Sequence, residues 1–180
     1  MGLGSGLACS IRLNTQLTPE QQARYQDEEV IRTLLQEARN IAIVGLSSDS
    51  QKASYFVASY LIYEGYNVIP VNPRATEILG RKCYPDLLSV PEKIDIVDVF
   101  RPVHEIPDVT KQAIQVKARA LWLQLRLIDM ESAALAEKAG LTVIMDKCVK
   151  MEHGRFQGSL HWAGMNTEII SARRARNVIR

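Results

Sequence analysis

The stretch GLSSDSQKAS, residues 45–54, places one glycine, four serine hydroxyls and a lysine between an apolar run and an amphipathic one. A helix opening here would add free backbone N–H groups and the positive end of its dipole, and the chemistry of that set is anion binding, phosphate above all. Gly45, Ser47, Ser48, Ser50 and Lys52 are the candidate phosphate ligands, with Ser54 a further hydroxyl. One of Ser48, Asp49 or Ser50 is also expected to cap the helix. The dinucleotide fingerprint asks for three glycines in such a loop, and Gly45 stands alone.

Two further stretches carry charge where strands should end. Asn72-Pro73-Arg74 offers an amide, a fixed turn and a fork-shaped cation. A nicotinamide dinucleotide site would instead place Asp or Glu there for the ribose hydroxyls. Phe100-Arg101-Pro102 adds a second guanidinium close to His104. Lys52, Arg74 and Arg101 together favour a nucleotide that carries additional phosphates. Coenzyme A and NADP both answer that description.

These segments share a site only if the intervening chain folds to bring them together. Thr18-Pro19-Glu20-Gln21 reads as a helix start with a capping box, and Asp27 as the cap of the main lead-in helix. Val30, Ile31, Leu34, Leu35 and Ala38 form the apolar face of that helix. Residues 41–46, IAIVGL, are uniformly apolar, as a strand buried on both faces must be. A helix over 53–64 buries Phe56, Val57, Tyr60 and Leu61 and stops at Gly65. The alternation continues with strand 67–71, a loop, strand 94–100, and a helix over 103–118 that carries Ile106, Val109, Ala113 and Val116. Strand 120–125, a helix over 129–139 ending at Gly140, and strand 141–146 complete the series. Such a series predicts an α/β fold, a Rossmann-like open parallel five-stranded sheet with helices on both faces. Ligands of these sheets bind beyond the carboxyl ends of the strands. The rim to inspect is therefore made by residues 45–54, 72–74, 100–104, 124–126 and 146–148.

The rest of the chain narrows the class. Its 180 residues, 47% hydrophobic and 23% charged, fit one ordinary globular domain. We divide it into a disordered leader (1–17), a ligand-binding domain with its N-terminal helix (18–155) and a C-terminal extension with a basic tail (156–180). The leader lacks the positive charge of a secretory signal, and no apolar run approaches the roughly 18 residues of a membrane span. Cys9, Cys83 and Cys148 are odd in number and widely spaced, which suggests a reducing cytoplasm. The net charge of +2 does not argue for nucleic acid, and the four arginines of SARRARNVIR read as a solvated end.

Several stretches in order carry a family resemblance: VGLS (44–47), VIPVNP (68–73), EILGRKCYPDL (77–87), DIVDVFRP (95–102), LWLQL (121–125) and MDKCVKMEH (145–153). They resemble the small, stand-alone CoA-binding domain proteins of bacteria and archaea, which are similar to the N-terminal domain of the succinyl-CoA synthetase α subunit. The resemblance implies coenzyme A lying over the strand ends. Gly45, Ser47, Ser48, Ser50 and Lys52 would sit at its phosphates, and Asn72, Pro73 and Arg74 at the adenosine end. Phe100 and Arg101 would border the adenine or the pantetheine. The chain departs from the family at Arg126, where glycine is usual. A long cation there could cover the pocket mouth, add a phosphate contact or partly block entry.

Catalysis is not expected. By the same resemblance, acyl-CoA ligation needs a phosphorylatable histidine from a further domain and a nucleotide-grasping partner subunit, and neither is expected in this chain. His104, His153 and His161 have no Ser or Asp partner at motif spacing. Asp95 and Asp98 lie in or beside a strand, where a structural role is expected. Cys148 follows the last strand with Lys147 and Lys150 nearby to favour its thiolate. It reads either as a thiol able to form a mixed disulfide with coenzyme A or as a small buried hydrophobe. Cys148-x4-His153 is looser than zinc spacing, so no metal is expected. The function expected is binding of coenzyme A or an acyl-CoA by a cytoplasmic carrier, sensor or regulatory module, alone or as a homodimer. The alternatives are an NADP-dependent or other small nucleotide-using enzyme, and a scaffold whose pocket Arg126 fills.

Overall fold

The computed structural model describes residues 16–157. Residues 1–15 and 158–180, with Cys9, His161 and the basic tail, lie outside the described residues. Helix α1 (Pro19–Tyr25) opens with the expected capping box: Gln21 N–H donates to Thr18 Oγ1 at 3.3 Å and Thr18 N–H to Gln21 Oε1 at 2.9 Å. Asp27 caps α2 (Glu28–Glu37) by accepting the Val30 N–H at 2.9 Å. The alternation then runs β1 (Asn40–Val44), α3 (Ala53–Tyr63), β2 (Asn67–Val71), and a small hairpin of β3 (Glu77–Ile78) and β4 (Arg81–Lys82). It continues with β5 (Ile96–Val99), a single 3-10 turn (Val103–Glu105) leading into α4 (Ile106–Gln115), then β6 (Ala120–Leu123), α5 (Met130–Lys138), β7 (Thr142–Ile144) and α6 (Val149–Phe156).

The main sheet has the order β2-β1-β5-β6-β7 and is parallel throughout. Side chains alternate between its two covered faces, which explains why each strand reads as nearly continuous apolar sequence. One face carries Ala42, Val44, Val97, Val99, Leu121 and Leu123 against α4 and α5, joined by Leu17 and Tyr25 from the N-terminal segment. The other carries Ile41, Ile43, Ile96, Trp122 and Ile144 against α2, α3 and α6. The fold is the doubly covered, Rossmann-like α/β sheet expected from the alternation. No helix among the described residues is long and apolar enough to cross a membrane.

Two side chains expected inside lie outside. Val30 is 42% exposed and Phe56 61% exposed. In α3, Val57, Ala58 and Leu61 make the buried side. Phe56 lies one residue, about 100° of helix, away from Val57, and instead takes the Lys150 ammonium over its ring at 4.1 Å. Helix α6 carries no apolar periodicity in the sequence, because its buried residues include Glu152, His153 and Arg155. These are held by ion pairs and hydrogen bonds: Arg155 meets Glu152 at 2.9 Å and Glu28 at 2.8 Å, and His153 Nδ1 lies 2.9 Å from the Tyr60 hydroxyl.

Candidate functional site

All five rim segments follow the carboxyl ends of parallel strands in one sheet. From β1 the chain crosses to β2 on one side, and β5 lies on the other, so the reversal in strand order falls between β1 and β5. Gly45 stands at that point. Its φ of +87° is a left-handed conformation, and its N–H donates to Val71 O at 2.9 Å. A Cβ there would lie 2.6 Å from Phe100 O and 2.7 Å from Arg101 Cδ. This one glycine is therefore required twice, by backbone angle and by the close passage of the β5 loop.

The loop beyond Gly45 is organised by its own polar groups. Ser47 N–H donates to the buried Ser54 Oγ at 3.1 Å, and Ser47 Oγ accepts Asp49 N–H at 3.1 Å. Asp49 Oδ1 accepts Gln51 N–H at 2.9 Å, and Asp49 O accepts Lys52 N–H at 3.0 Å. The expected side-chain cap on α3 is absent: Lys52 occupies the cap position and makes no capping bond. The reason is local, since the Asp49 carboxylate closes a turn one step earlier, while Ser48 and Ser50 remain exposed. The α3 terminus thus presents N–H groups without a side-chain acceptor, the condition under which an anion binds.

Asn72 spends both ends of its amide on architecture, donating to Leu46 O at 2.8 Å and accepting Arg74 N–H at 2.9 Å. It locks the β1 and β2 loops together and leaves Arg74 exposed beside them. Lys52 is exposed as well. Among the described residues neither cation has a carboxylate partner. On the α4 side of Gly45 lies a cleft of ≈ 190 Å³ whose lining includes Val44, Val71, Pro73, Asp86, Glu105 and Asp108. Arg101 also lines it, with Nε 2.7 Å and Nη2 2.6 Å from Glu105 Oε2. Phe100 is partly buried against the α3 side of the sheet. The residues named from sequence therefore share one rim but divide across it: Lys52 and Arg74 are exposed and unpaired, whereas Arg101 is held in an acid-lined cleft. Sequence reasoning missed Asp86, Glu105 and Asp108. The four-residue spacing of Arg101 and Glu105 was the available signal, obscured by Pro102 and the 3-10 turn between them.

Farther along the rim, Gln124 Nε2 donates to Asp98 Oδ1 at 2.7 Å. Asp98 is wholly buried, its Oδ2 has no hydrogen-bond partner among the described residues, and burial pushes its pKa up to about 7. Asp95 has the structural role expected, accepting the N–H groups of Arg39 and Asn40 at 2.8 and 2.9 Å. Of the two readings of Cys148, the surroundings favour the small buried hydrophobe: burial pushes that thiol up, and the Asp98 charge adds to the effect. Lys150 does lower it, through its backbone N–H and its charge, but burial outweighs both, and Lys147 is paired with Glu152 at 3.4 Å. Arg126 is exposed, does not line the cleft, and has φ +67° with its N–H on Asp146 Oδ1 at 2.6 Å. Glycine would take that backbone conformation without steric cost. No group of three or more metal-ligating side chains occurs among the described residues.

Residues 39–154 match the family model described as a CoA binding domain. The chain belongs to this CoA binding domain family. Within the family it is 37% identical over 123 residues to YneT of Bacillus subtilis, covering 68% of this chain and 91% of that protein. A solved structure of a hypothetical protein from Pyrococcus horikoshii superposes with a TM-score of 0.71 at 38% identity, over 73% of this chain and 92% of that one. An ADP-forming acetate–CoA ligase of Archaeoglobus fulgidus is 30% identical over 79 residues, which are 43% of this chain and 12% of the ligase. The family match thus runs from the lead-in of β1 into α6 and takes in every rim segment, whereas the ligase is matched over only a small fraction of its length.

Proposed function

We propose that this member of the CoA binding domain family binds coenzyme A, free or acylated, across the strand ends, as a carrier, sensor or regulatory module without catalysis of its own. The α3 terminus, with Gly45, Ser47, Ser48, Ser50 and Lys52, takes the pyrophosphate. Asn72, Pro73 and Arg74 meet the adenosine end, and Phe100 and Arg101 border it on the β5 side. The observation that carries this reading is Gly45 at the switch in strand order, directly before a helix terminus that no side chain caps, in a domain matched over residues 39–154. The ligase relative is named for joining acetate to CoA, and its similarity supports the same ligand here. NADP is the weaker choice because the β2 end reads Val71-Asn72, without the ribose-binding acid. The unit that binds is residues 18–155, in the cytoplasm, alone or as a homodimer. Cys148, with its thiol held protonated by burial, serves as packing in this reading rather than as a disulfide-forming group.

Thermal unfolding in the presence of CoA, acetyl-CoA and NADP tests the proposal. Ligand at about 100 times Kd stabilises the native state by about 2.7 kcal/mol, which for a chain of this size raises Tm by about 5–10 °C. CoA and acetyl-CoA should both produce that shift. A shift from NADP alone would turn the search toward hydride transfer, and no shift from any of the three would remove coenzyme A as the ligand.

A further inference from the structure

We propose that Glu105 is a specificity-determining residue that withholds Arg101 from phosphate, so that the cleft beside Gly45 receives the nucleoside and the pyrophosphate is read by Lys52 and the α3 terminus. The inference rests on the reading of the site as a coenzyme A site and assigns its polarity. The Arg101 side chain is fixed at both ends. Its Cδ crosses Gly45 so closely that a Cβ there would come within 2.7 Å. Its guanidinium is delivered to Glu105 Oε2, with Nε at 2.7 Å and Nη2 at 2.6 Å. That pairing aims the cation into the cleft, where Asp86 and Asp108 also stand. Asp86 Oδ1 accepts from the N–H and hydroxyl of Ser89, both at 2.8 Å, and Asp108 is met by Lys111 at 3.0 Å. Three carboxylates and one guanidinium line the cleft, and that guanidinium is already engaged.

A phosphate entering there would have to take Arg101 from Glu105 and approach two more carboxylates, an arrangement that like charge opposes. Carboxylates instead accept hydrogen bonds, and a nucleoside supplies the donors: the ribose hydroxyls and the exocyclic amine of the base. Across Gly45 the polarity is reversed. Lys52 and Arg74 are exposed without carboxylate partners among the described residues, and α3 offers uncapped N–H groups. In this proposal the ribose, with its 3′-phosphate, lies on the Arg101 side of the site. Glu105 therefore controls how strongly the site distinguishes coenzyme A from its 3′-dephospho form.

Calorimetric titration of CoA and 3′-dephospho-CoA into the wild type, Glu105→Gln, and Glu105→Gln combined with Arg101→Gln provides the test. Glu105 is partly exposed in a short turn, and melting curves confirm that each variant is folded before titration. Glu105→Gln keeps the side chain's size but releases Arg101 for a charge-assisted bond to phosphate, raising the CoA to dephospho-CoA affinity ratio about tenfold. The double variant returns that ratio to the wild-type value, because Arg101 is the source of the gain. An unchanged ratio in Glu105→Gln, with both ligands still bound, would overturn the inference and leave the coenzyme A reading standing. Failure of both ligands to bind the folded wild type would overturn both the inference and that reading.

Discussion

Replacing Gly45 with alanine destabilises the fold by about 3 kcal/mol and abolishes the thermal shift produced by CoA. Two costs add. A left-handed backbone costs an alanine about 1–2 kcal/mol, and Gly45 has φ +87°. The second cost is contact: the new Cβ meets the backbone oxygen of Phe100 at 2.6 Å, and a carbonyl fixed by the sheet cannot turn aside as a side chain can. Phe100 N–H is itself bonded to Val44 O at 2.8 Å. Relief requires the β1 and β5 ends to separate, which moves the α3 terminus and the cleft relative to each other. Gly140→Ala is the control, since Gly140 has φ +88° with nothing within 4 Å of the added Cβ. It should cost only the backbone share, about 1–2 kcal/mol, and leave the CoA shift intact. Denaturant melts of both variants with and without CoA separate the two costs. Equal losses in the two variants, with CoA still bound by Gly45→Ala, would show that the close passage of the β5 loop has no part in the site.

Asp98→Asn stabilises the protein at pH 8 by about 2 kcal/mol and removes much of its stability change between pH 4 and pH 7. Asp98 sits in the middle of β5, opposite Ile43 on β1 and Trp122 on β6. The groups that act on its carboxyl are the Gln124 amide and the Val99 N–H, and its charge is felt at Cys148. Burial outweighs the two hydrogen bonds and carries the pKa from 3.8 to about 7. The folded chain therefore holds this proton where the unfolded chain has lost it. Stability from this residue falls as pH rises from about 4 to about 7 and stays low above, a difference of about 4 kcal/mol. Asparagine cannot ionise and can still accept from Gln124. Its N–H, in place of the unpartnered Oδ2, costs about 1–2 kcal/mol and brings the net gain at pH 8 to about 2 kcal/mol. At pH 4, where Asp98 is itself uncharged, that cost stands alone and the variant is less stable than the wild type by about 1–2 kcal/mol. Denaturant melts of both proteins across this range check the sign. An equal loss at pH 4 and pH 8 would mean that the carboxylate is matched by a partner and is not an unpaired buried acid.

The parallel sheet was legible because its strands are buried on both faces: Ile41 to Val44 reads as an unbroken apolar run, and Ile96 to Val99 as one interrupted only by Asp98. Capping at Thr18 and Asp27 was visible from residue type and position. Helix α6 was hidden because its buried residues include Glu152, His153 and Arg155, matched by partners as far away in sequence as Glu28 and Tyr60. The rim itself could be found from strand ends, and Gly45, Lys52, Asn72, Arg74 and Arg101 all lie on it. Its polarity could not be found that way. Nothing local shows that Arg101 turns to Glu105, that Asp86 enters the same cleft from the β4 side, or that Asp49 leaves α3 uncapped. Those facts depend on which side chains meet across loops, and spacing along the chain does not encode it.

The most direct test of the account is amide chemical-shift mapping of the 15N-labelled protein titrated with CoA. The account predicts that the largest changes fall on Gly45, Ser47, Ala53, Ser54, Arg74 and Arg101, the loops that follow β1, β2 and β5. Changes confined to the opposite ends of the strands, where Glu29, Thr33, Arg119 and Thr142 line a separate groove, would contradict it.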